Sequence, residues 1–387
     1  MEKQSYKRLG DYIEQVDIRN FEDIYGEDDV KGISTNKCFM PTKGNLIDVS
    51  FSNYKIVSSG QFAFNVNTAR MGDRFAIALK EGDPCIVSSI YVVFRTKEGL
   101  LPEYLYLWCC RPEFDRYVRF MSHGSAREIF EWEDMCEVFL PIPDVKEQSR
   151  IVSEYQSFIN RIDANNKLIS SLEVTAKNIF DHYFSSAYFN TPSDELEELT
   201  VKDCVCINES NLSSKNLPPQ LYYLETGGVT NNQFDELSVI DLRTEDLPSR
   251  AKRVVKSGDI VYSSVRPNLR HYGILRNVLP NTVVSTGFIV LNSNRPHVSN
   301  ELIYMWITFD KYTEYLTGIA DTSKATYPSI VPDDLLGLKI WVPKSNSAFY
   351  CKIQDSLSLI YKHIGTIDRE NQILTRLTAV LLPKLMS

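Results

Sequence analysis

The stretch Ser263-Ser264-Val265-Arg266-Pro267-Asn268-Leu269-Arg270-His271-Tyr272 concentrates side chains suited to reading a nucleic acid. Arginine can bridge the edge of guanine and asparagine the edge of adenine, while serine hydroxyls and backbone amides suit phosphate oxygens. The stretch follows a short apolar run, Asp259–Tyr262, that reads as a strand. About 200 residues earlier stands a comparable stretch, Asn65-Val66-Asn67-Thr68-Ala69-Arg70-Met71-Gly72-Asp73-Arg74. A second pair of small, basic loops, His123-Gly124-Ser125-Ala126-Arg127 and Thr322-Ser323-Lys324-Ala325-Thr326-Tyr327, precedes the last strand of each half. The candidate DNA contacts are therefore Asn65, Asn67, Thr68, Arg70, Arg74, Ser125 and Arg127 in the first half. In the second they are Ser263, Ser264, Arg266, Asn268, Arg270, His271, Ser323, Lys324 and Tyr327. An ordinary solvated turn would read much the same at any one of these places. Recurrence at the same place with different residues is what two readers of different sequences on one scaffold require.

Other chemistries find little support. The chain has no GxGxxG, no GxxxxGK[ST] and no GxSxG. Its five histidines (His123, His182, His271, His297, His363) are isolated, and no His/Cys cluster has metal spacing. The Pro-Pro pair, Leu217-Pro218-Pro219-Gln220, lacks the polar and aromatic neighbours of an amino-methyltransferase motif. Asp29-Val30-Lys31 and Asp144-Val145-Lys146 match one fragment of a nuclease site, and the second is better explained as a helix start. The expectation is a non-catalytic chain with no cofactor and no metal.

The 387 residues exceed one ordinary core, so two domains are expected. A hydrophobic fraction of 43% with 24% charged residues describes a soluble folded chain. Eight cysteines without a CxxC pair read as free thiols in a reducing compartment, and no 18-residue apolar stretch exists. A cytoplasmic protein that makes no use of the membrane is the expectation. The net charge of −8 opposes a uniformly basic nucleic-acid binder, but the charge is uneven. Between Arg243 and Arg276 stand eight basic and three acidic residues, whereas residues 1–29 hold nine acidic and four basic.

An internal repeat organises these loops. Ser59-Gly60-Gln61-Phe62 answers to Ser257-Gly258-Asp259-Ile260, Ile86–Phe94 to Val283–Leu291, Leu105–Trp108 to Ile303–Trp306, and Glu133-Asp134-Met135 to Asp333-Asp334-Leu335. The offset drifts only from 197 to 205. Within each half, Cys85–Phe94, Val283–Leu291 and Leu338–Val342 read as strands, and Pro102–Cys110 and Asn300–Phe309 as short amphipathic helices. The polar, acidic stretch 188–198 reads as the linker into the second half.

Each half closes with a long helix. Ile151, Tyr155, Phe158, Ile162, Asn165, Ile169, Leu172, Ala176, Ile179 and Tyr183 follow a 4, 3, 4, 3 spacing. Ile353, Leu357, Ile360, Ile364, Ile367, Asn371, Leu374, Thr378, Leu381 and Leu385 repeat it. Such spacing predicts coiled-coil helices of about 40 residues, roughly 60 Å long. Each stripe needs a partner to leave water, and the other helix supplies it. Placed antiparallel, Ile151 faces Leu385, Tyr183 faces Ile353, and Asn165 falls opposite Asn371, a polar pair that fixes register at a cost in stability. Pro383 is expected to kink or end the last turn. The architecture expected is α+β: two similar mixed α/β domains, residues 1–143 and 188–343, joined by long helices at 144–187 and 344–387 that form an antiparallel coiled coil.

The chain resembles the DNA-specificity subunit of type I restriction–modification systems. The likeness is carried by Leu9-Gly10-Asp11-Tyr12-Ile13, Leu140-Pro141-Ile142-Pro143 with Glu147-Gln148 and Ile151, Ser257-Gly258-Asp259-Ile260, and Leu381-Leu382-Pro383-Lys384-Leu385. It spans nearly the full length. It implies that each half is a target-recognition domain for one part of a split site in double-stranded DNA, with the coiled coil fixing their separation. It also implies a host-defence complex with two adenine methyltransferase subunits, which bind S-adenosylmethionine and dock on the coil, and two restriction–translocase subunits. Methylation and cleavage would belong to those partners. The second copy departs from the pattern, since Lys344-Ser345-Asn346-Ser347-Ala348-Phe349-Tyr350 lacks the Glu-Gln pair. The competing readings are a coiled-coil scaffold that does not read DNA and an enzyme of related architecture that cuts DNA itself.

Overall fold

The computed structural model describes residues 6–385 apart from 43, 45, 47, 48, 69–73, 123–127, 214–216, 324–326 and the side chains of 383–385. The chain forms two compact units, Met1–Asp163 with Ile373–Ser387, and Ala164–Gln372. Each unit thus holds a mixed α/β body, the start of one long helix and the end of the other.

In the first unit, Tyr6–Arg8 pairs antiparallel with Phe139–Pro141. A four-stranded sheet runs in the order Ile13–Val16, Tyr91–Thr96, Gln61–Asn65, Ile77–Leu79. Lys55–Val57 pairs with Cys85–Val87 beside it. Phe62, Phe64 and Phe94 from the sheet pack with Leu105 and Trp108 of the helix Pro102–Cys109 in one core. In the second unit, Leu196–Thr200 pairs with Lys339–Pro343, and the four-stranded sheet runs Val205–Ile207, Phe288–Ser293, Ile260–Ser263, Tyr272–Ile274. This is the same order of equivalent strands. Ala251–Val254 with Thr282–Ser285 matches the first unit's side pair, but here Gln220–Leu224 and Ser238–Asp241 extend it. The repeated Ser-Gly gains its reason here: Gly60 and Gly258 take φ of 81° and 96° just before the central strands, a conformation that side chains resist.

Three sequence expectations change in detail. The runs Cys85–Phe94 and Val283–Leu291 are each two strands, broken at 88–90 and 286–287, so that each run serves two sheets. Of the expected linker 188–198, Tyr188 and Phe189 end a short helix, and Leu196–Glu198 are already sheet, because Leu196 has a buried place to fill. The second long helix begins at Ala348 rather than at 344, and it continues through Pro383 to Leu385.

The first long helix, Val145–Phe180, continues as a π turn over Asp181–Ser185 and a short helix, Ser186–Phe189. Asp144 Oδ1 accepts from the Glu147 N–H, and Ser347 Oγ accepts from the Tyr350 N–H, satisfying amides that a helix start leaves open. Within the second unit the helices run antiparallel. Asn165 Nδ2 donates to Asn371 Oδ1 at 2.8 Å, and further along the Tyr183 ring meets Phe349 at 5.8 Å and the Phe184 ring meets Tyr350 at 5.7 Å. Tyr183, expected opposite Ile353, has its ring against Phe349, one turn before Ile353. In the first unit, Ile151 and Leu382 enter the same core. The expected partner of Ile151, Leu385, has its side chain outside the described residues.

Gln148 explains half of the Glu-Gln pair. Fully buried, its Oε1 accepts from the Leu101 N–H at 2.8 Å and its Nε2 donates to the Gly99 and Pro143 carbonyls at 2.8 Å. The second copy does have its counterpart, displaced along the helix. Gln354 Oε1 accepts from the Ser299 N–H at 3.1 Å and its Nε2 donates to the His297 carbonyl at 2.8 Å. Both glutamines fasten a long helix to the start of the short helix of its own unit.

Candidate nucleic-acid interface

In the second unit, the candidate loop connects the antiparallel strands Ile260–Ser263 and Tyr272–Ile274. Ser263 is buried, and its hydroxyl closes the turn: it donates to the Val265 carbonyl at 2.9 Å and accepts from the Val265 N–H at 3.1 Å. The Ser264 N–H and Oγ both donate to the Gly287 carbonyl at 2.9 Å. Arg266 then takes a left-handed backbone, φ 51°, Pro267–Leu269 make one 3-10 turn, and Arg270 is left-handed again at φ 55°. These turns leave Arg266 and Asn268 exposed above a buried Pro267.

The loop before the short helix Pro332–Leu336 packs against the candidate loop. The Ile330 N–H donates to the Ser264 carbonyl at 2.8 Å and the Arg266 N–H to the Pro328 carbonyl at 2.9 Å, with a β-bridge between Val265 and Ser329. Ser323 Oγ accepts from the Ser329 N–H at 3.4 Å. The two loops singled out in the sequence are thus one surface, on which the Arg266 guanidinium lies 5.2 Å from the centre of the exposed Tyr327 ring. Lys324 lies outside the described residues.

Two further candidates also serve the scaffold. Arg270 Nη1 donates to Asp310 Oδ1 at 2.9 Å, while Lys177 Nζ of the first long helix reaches Asp310 Oδ2 at 3.0 Å. Burial pushes the Asp310 carboxyl up, but the hydrogen bonds and charges of Lys177 and Arg270 outweigh it and hold it below its ordinary range. His271 Nδ1 stands 2.7 Å from the Val229 carbonyl and 3.1 Å from Thr230 Oγ1. Neither Asp310 nor Val229 is near these residues in sequence, so nothing in the local pattern could distinguish Arg270 from Arg266.

The first unit builds the same junction. The Phe130 N–H donates to the Val66 carbonyl at 2.9 Å, and the Thr68 N–H and Oγ1 donate to the Glu128 carbonyl at 3.0 and 2.7 Å, with a bridge between Asn67 and Ile129. Thr68 is therefore the positional equivalent of Arg266. Asn65 Oδ1 accepts from the Asn67 N–H at 3.0 Å, and Arg74 Nη1 donates to Asn36 Oδ1 at 3.4 Å. Arg70, Ser125 and Arg127 lie outside the described residues. Among the described residues no group of three or more His, Cys, Asp or Glu is placed to hold a metal ion, and no helix is long and apolar enough to cross a membrane.

No family model matches the chain. The specificity subunit of the type I restriction enzyme HindI of Haemophilus influenzae is 32% identical over 166 residues, which are 43% of this chain and 35% of that protein. The matched segment thus spans about a third of the relative's length. The S subunit of a type I restriction–modification system from M. genitalium superimposes with a TM-score of 0.57 at 14% identity, covering 99% of this chain and 96% of that one. A specificity subunit from Thermoanaerobacter tengcongensis aligns over 99% of this chain and 96% of its own with a TM-score of 0.39 at 18% identity. The chain is related in sequence to a type I restriction enzyme specificity subunit and has the fold of one, two α/β bodies with two long helices.

Proposed function

We propose that the chain is the sequence-specific DNA-recognition subunit of a type I restriction–modification complex. The α/β bodies, residues 1–143 and 188–343, each read one part of a bipartite site in double-stranded DNA. The helices, 144–187 and 344–387, set the spacing and dock two adenine methyltransferase subunits. Two restriction–translocase subunits complete the assembly, and these partners perform all of the catalysis.

One observation carries this reading. The same two-loop junction is built at the same place in both units, and it presents different side chains: Arg266 beside Tyr327 in one, Asn67 and Thr68 in the other. A scaffold that bound only protein would not need its two copies to diverge at these loops while keeping the junction beneath them. With a net charge of −8, the chain depends on its partners for many of the phosphate contacts that supply affinity.

A gel shift on a pool of mixed double-stranded oligonucleotides, with and without the methyltransferase subunits, tests the proposal. Weak binding by the chain alone and strong, sequence-selected binding by the complex are expected. Tight selective binding by the chain alone contradicts the assigned division of labour. Metal-dependent cutting by the purified chain would make it an enzyme instead.

A further inference from the structure

We propose that Arg266 reads a guanine in the half-site of the second unit, and that Tyr327 is the positioning residue that presents its guanidinium. This rests on the reading above that the paired loops face DNA, and it adds the base and the residue.

Three features single out Arg266. Its backbone is fixed on one side by the N–H bond to the Pro328 carbonyl and the Val265–Ser329 bridge, and on the other by its carbonyl, which accepts from the Leu269 N–H, so its side chain leaves the loop from a set point. Its left-handed conformation is unfavourable for a residue with a Cβ and persists because those contacts hold it. Finally, the guanidinium lies over an aromatic ring, and among the described residues no carboxylate pairs with it. Its neighbours are held by carboxylates: Arg270 pairs with Asp310, and Arg276, which also lies over the Tyr361 ring, pairs with Asp368.

The chemistry follows from that support. A guanidinium held by a ring is held without a hydrogen-bond acceptor, so that contact leaves its N–H groups available for hydrogen bonds. Two parallel N–H groups match the O6 and N7 acceptors of guanine in the major groove, the pairing that best distinguishes this base. The ring also reduces the side-chain freedom that would otherwise be lost on binding. Thr68 stands at the equivalent place in the first unit, with its hydroxyl engaged by the Glu128 carbonyl, and has no second donor for such a contact. The guanine requirement through this position therefore belongs to one half-site only.

The test uses the full chain expressed with its methyltransferase subunits in a host without adenine methylation, with methylated sites mapped by sequencing. Wild type is expected to give a motif with a guanine in one part. Arg266→Ala should lower the preference for that guanine by about tenfold or more, without changing the other part of the motif. Arg266→Lys should weaken the preference, since a tetrahedral ammonium lacks the planar fork that fits O6 and N7 together. It retains charge and stem, so it decides the matter if the alanine variant fails to fold. Tyr327→Phe should keep the preference and Tyr327→Ala should weaken it at the same base. Equal loss at every position on Arg266→Ala, with the guanine preference kept on Arg266→Lys, would make Arg266 a phosphate contact and overturn the inference while leaving the proposed function standing. An unchanged motif in both Arg266 variants would overturn it too. Sequence-independent methylation by wild type would instead overturn the proposed function.

Discussion

Asn165 donates its side-chain amide to Asn371 across 2.8 Å and reaches Glu370 at 3.1 Å, in a seam whose flanking positions are apolar. Asn371 in turn donates to Asn166 at 2.9 Å. Polar pairs of this kind fix register and cost stability relative to an apolar seam. The double substitution Asn165→Leu with Asn371→Leu should therefore raise the melting temperature by several degrees, while Asn165→Leu alone should gain less, because Asn371 and Glu370 lose the bond to Asn165 and Asn371 stays polar in the seam. Thermal unfolding of the three proteins checks this. A large loss of stability in the double variant would contradict it.

Gln148 and Gln354 give a second prediction. Replacing Gln148 by Ala leaves the Leu101 N–H and the Gly99 and Pro143 carbonyls without their partner in a buried place, and should cost about 2–4 kcal/mol in urea unfolding. Gln354→Ala removes two bonds and should cost less. Equal, negligible effects would mean that these glutamines do not fasten the helices.

Gly365 lies inside the second long helix, where Ala ordinarily gains about 1 kcal/mol over Gly. Here an added Cβ would stand 3.1 Å from Arg276 Cδ. Arg276 is held by Asp368 at 3.0 Å and lies over the Tyr361 ring, so it has little room to yield. Gly365→Ala should thus lower stability, by about 1 kcal/mol, against the helix-propensity trend. A gain in melting temperature would show that Arg276 moves.

Glu173 supplies a pH dependence. Burial pushes its carboxyl up, opposed by the Asn232 hydrogen bond and the Arg276 charge. In the pH range above the ordinary glutamate value, roughly 4.3, the folded chain then holds more protons than the unfolded one. Its contribution to stability therefore falls as pH rises through that range. Glu173→Gln keeps an acceptor for Asn232 and should raise stability at pH 7 but not at pH 4. The same shift at both values would rule out titration of Glu173 as the cause.

Much of this was legible in the sequence, for physical reasons. A 3.5-residue stripe can be buried only along a helix, so the seam announced both long helices and the Asn165–Asn371 level. The repeated Ser-Gly and the matched apolar runs announced the common sheet order, because each marks a turn or a buried strand with few alternatives. What escaped depended on distant partners. Gln354 sits three residues further into its helix than Gln148 does and has no Glu beside it, so the eye tied to the Glu-Gln pair passes over it. The extra strands Gln220–Leu224 and Ser238–Asp241 have no counterpart in the first half to predict them from. Arg270 and Arg266 are equivalent as letters, and only Asp310 and Tyr327 tell them apart.

The central claim is that two similar units read two different parts of one DNA site. Mapping every methylated adenine in the DNA of a methylation-free host that expresses this chain with its methyltransferase subunits tests it most directly. A motif of two defined parts separated by an undefined spacer of constant length is predicted, with substitutions in the 263–271 loop altering one part alone. A single uninterrupted motif, or a change in both parts on substituting that loop, would contradict it.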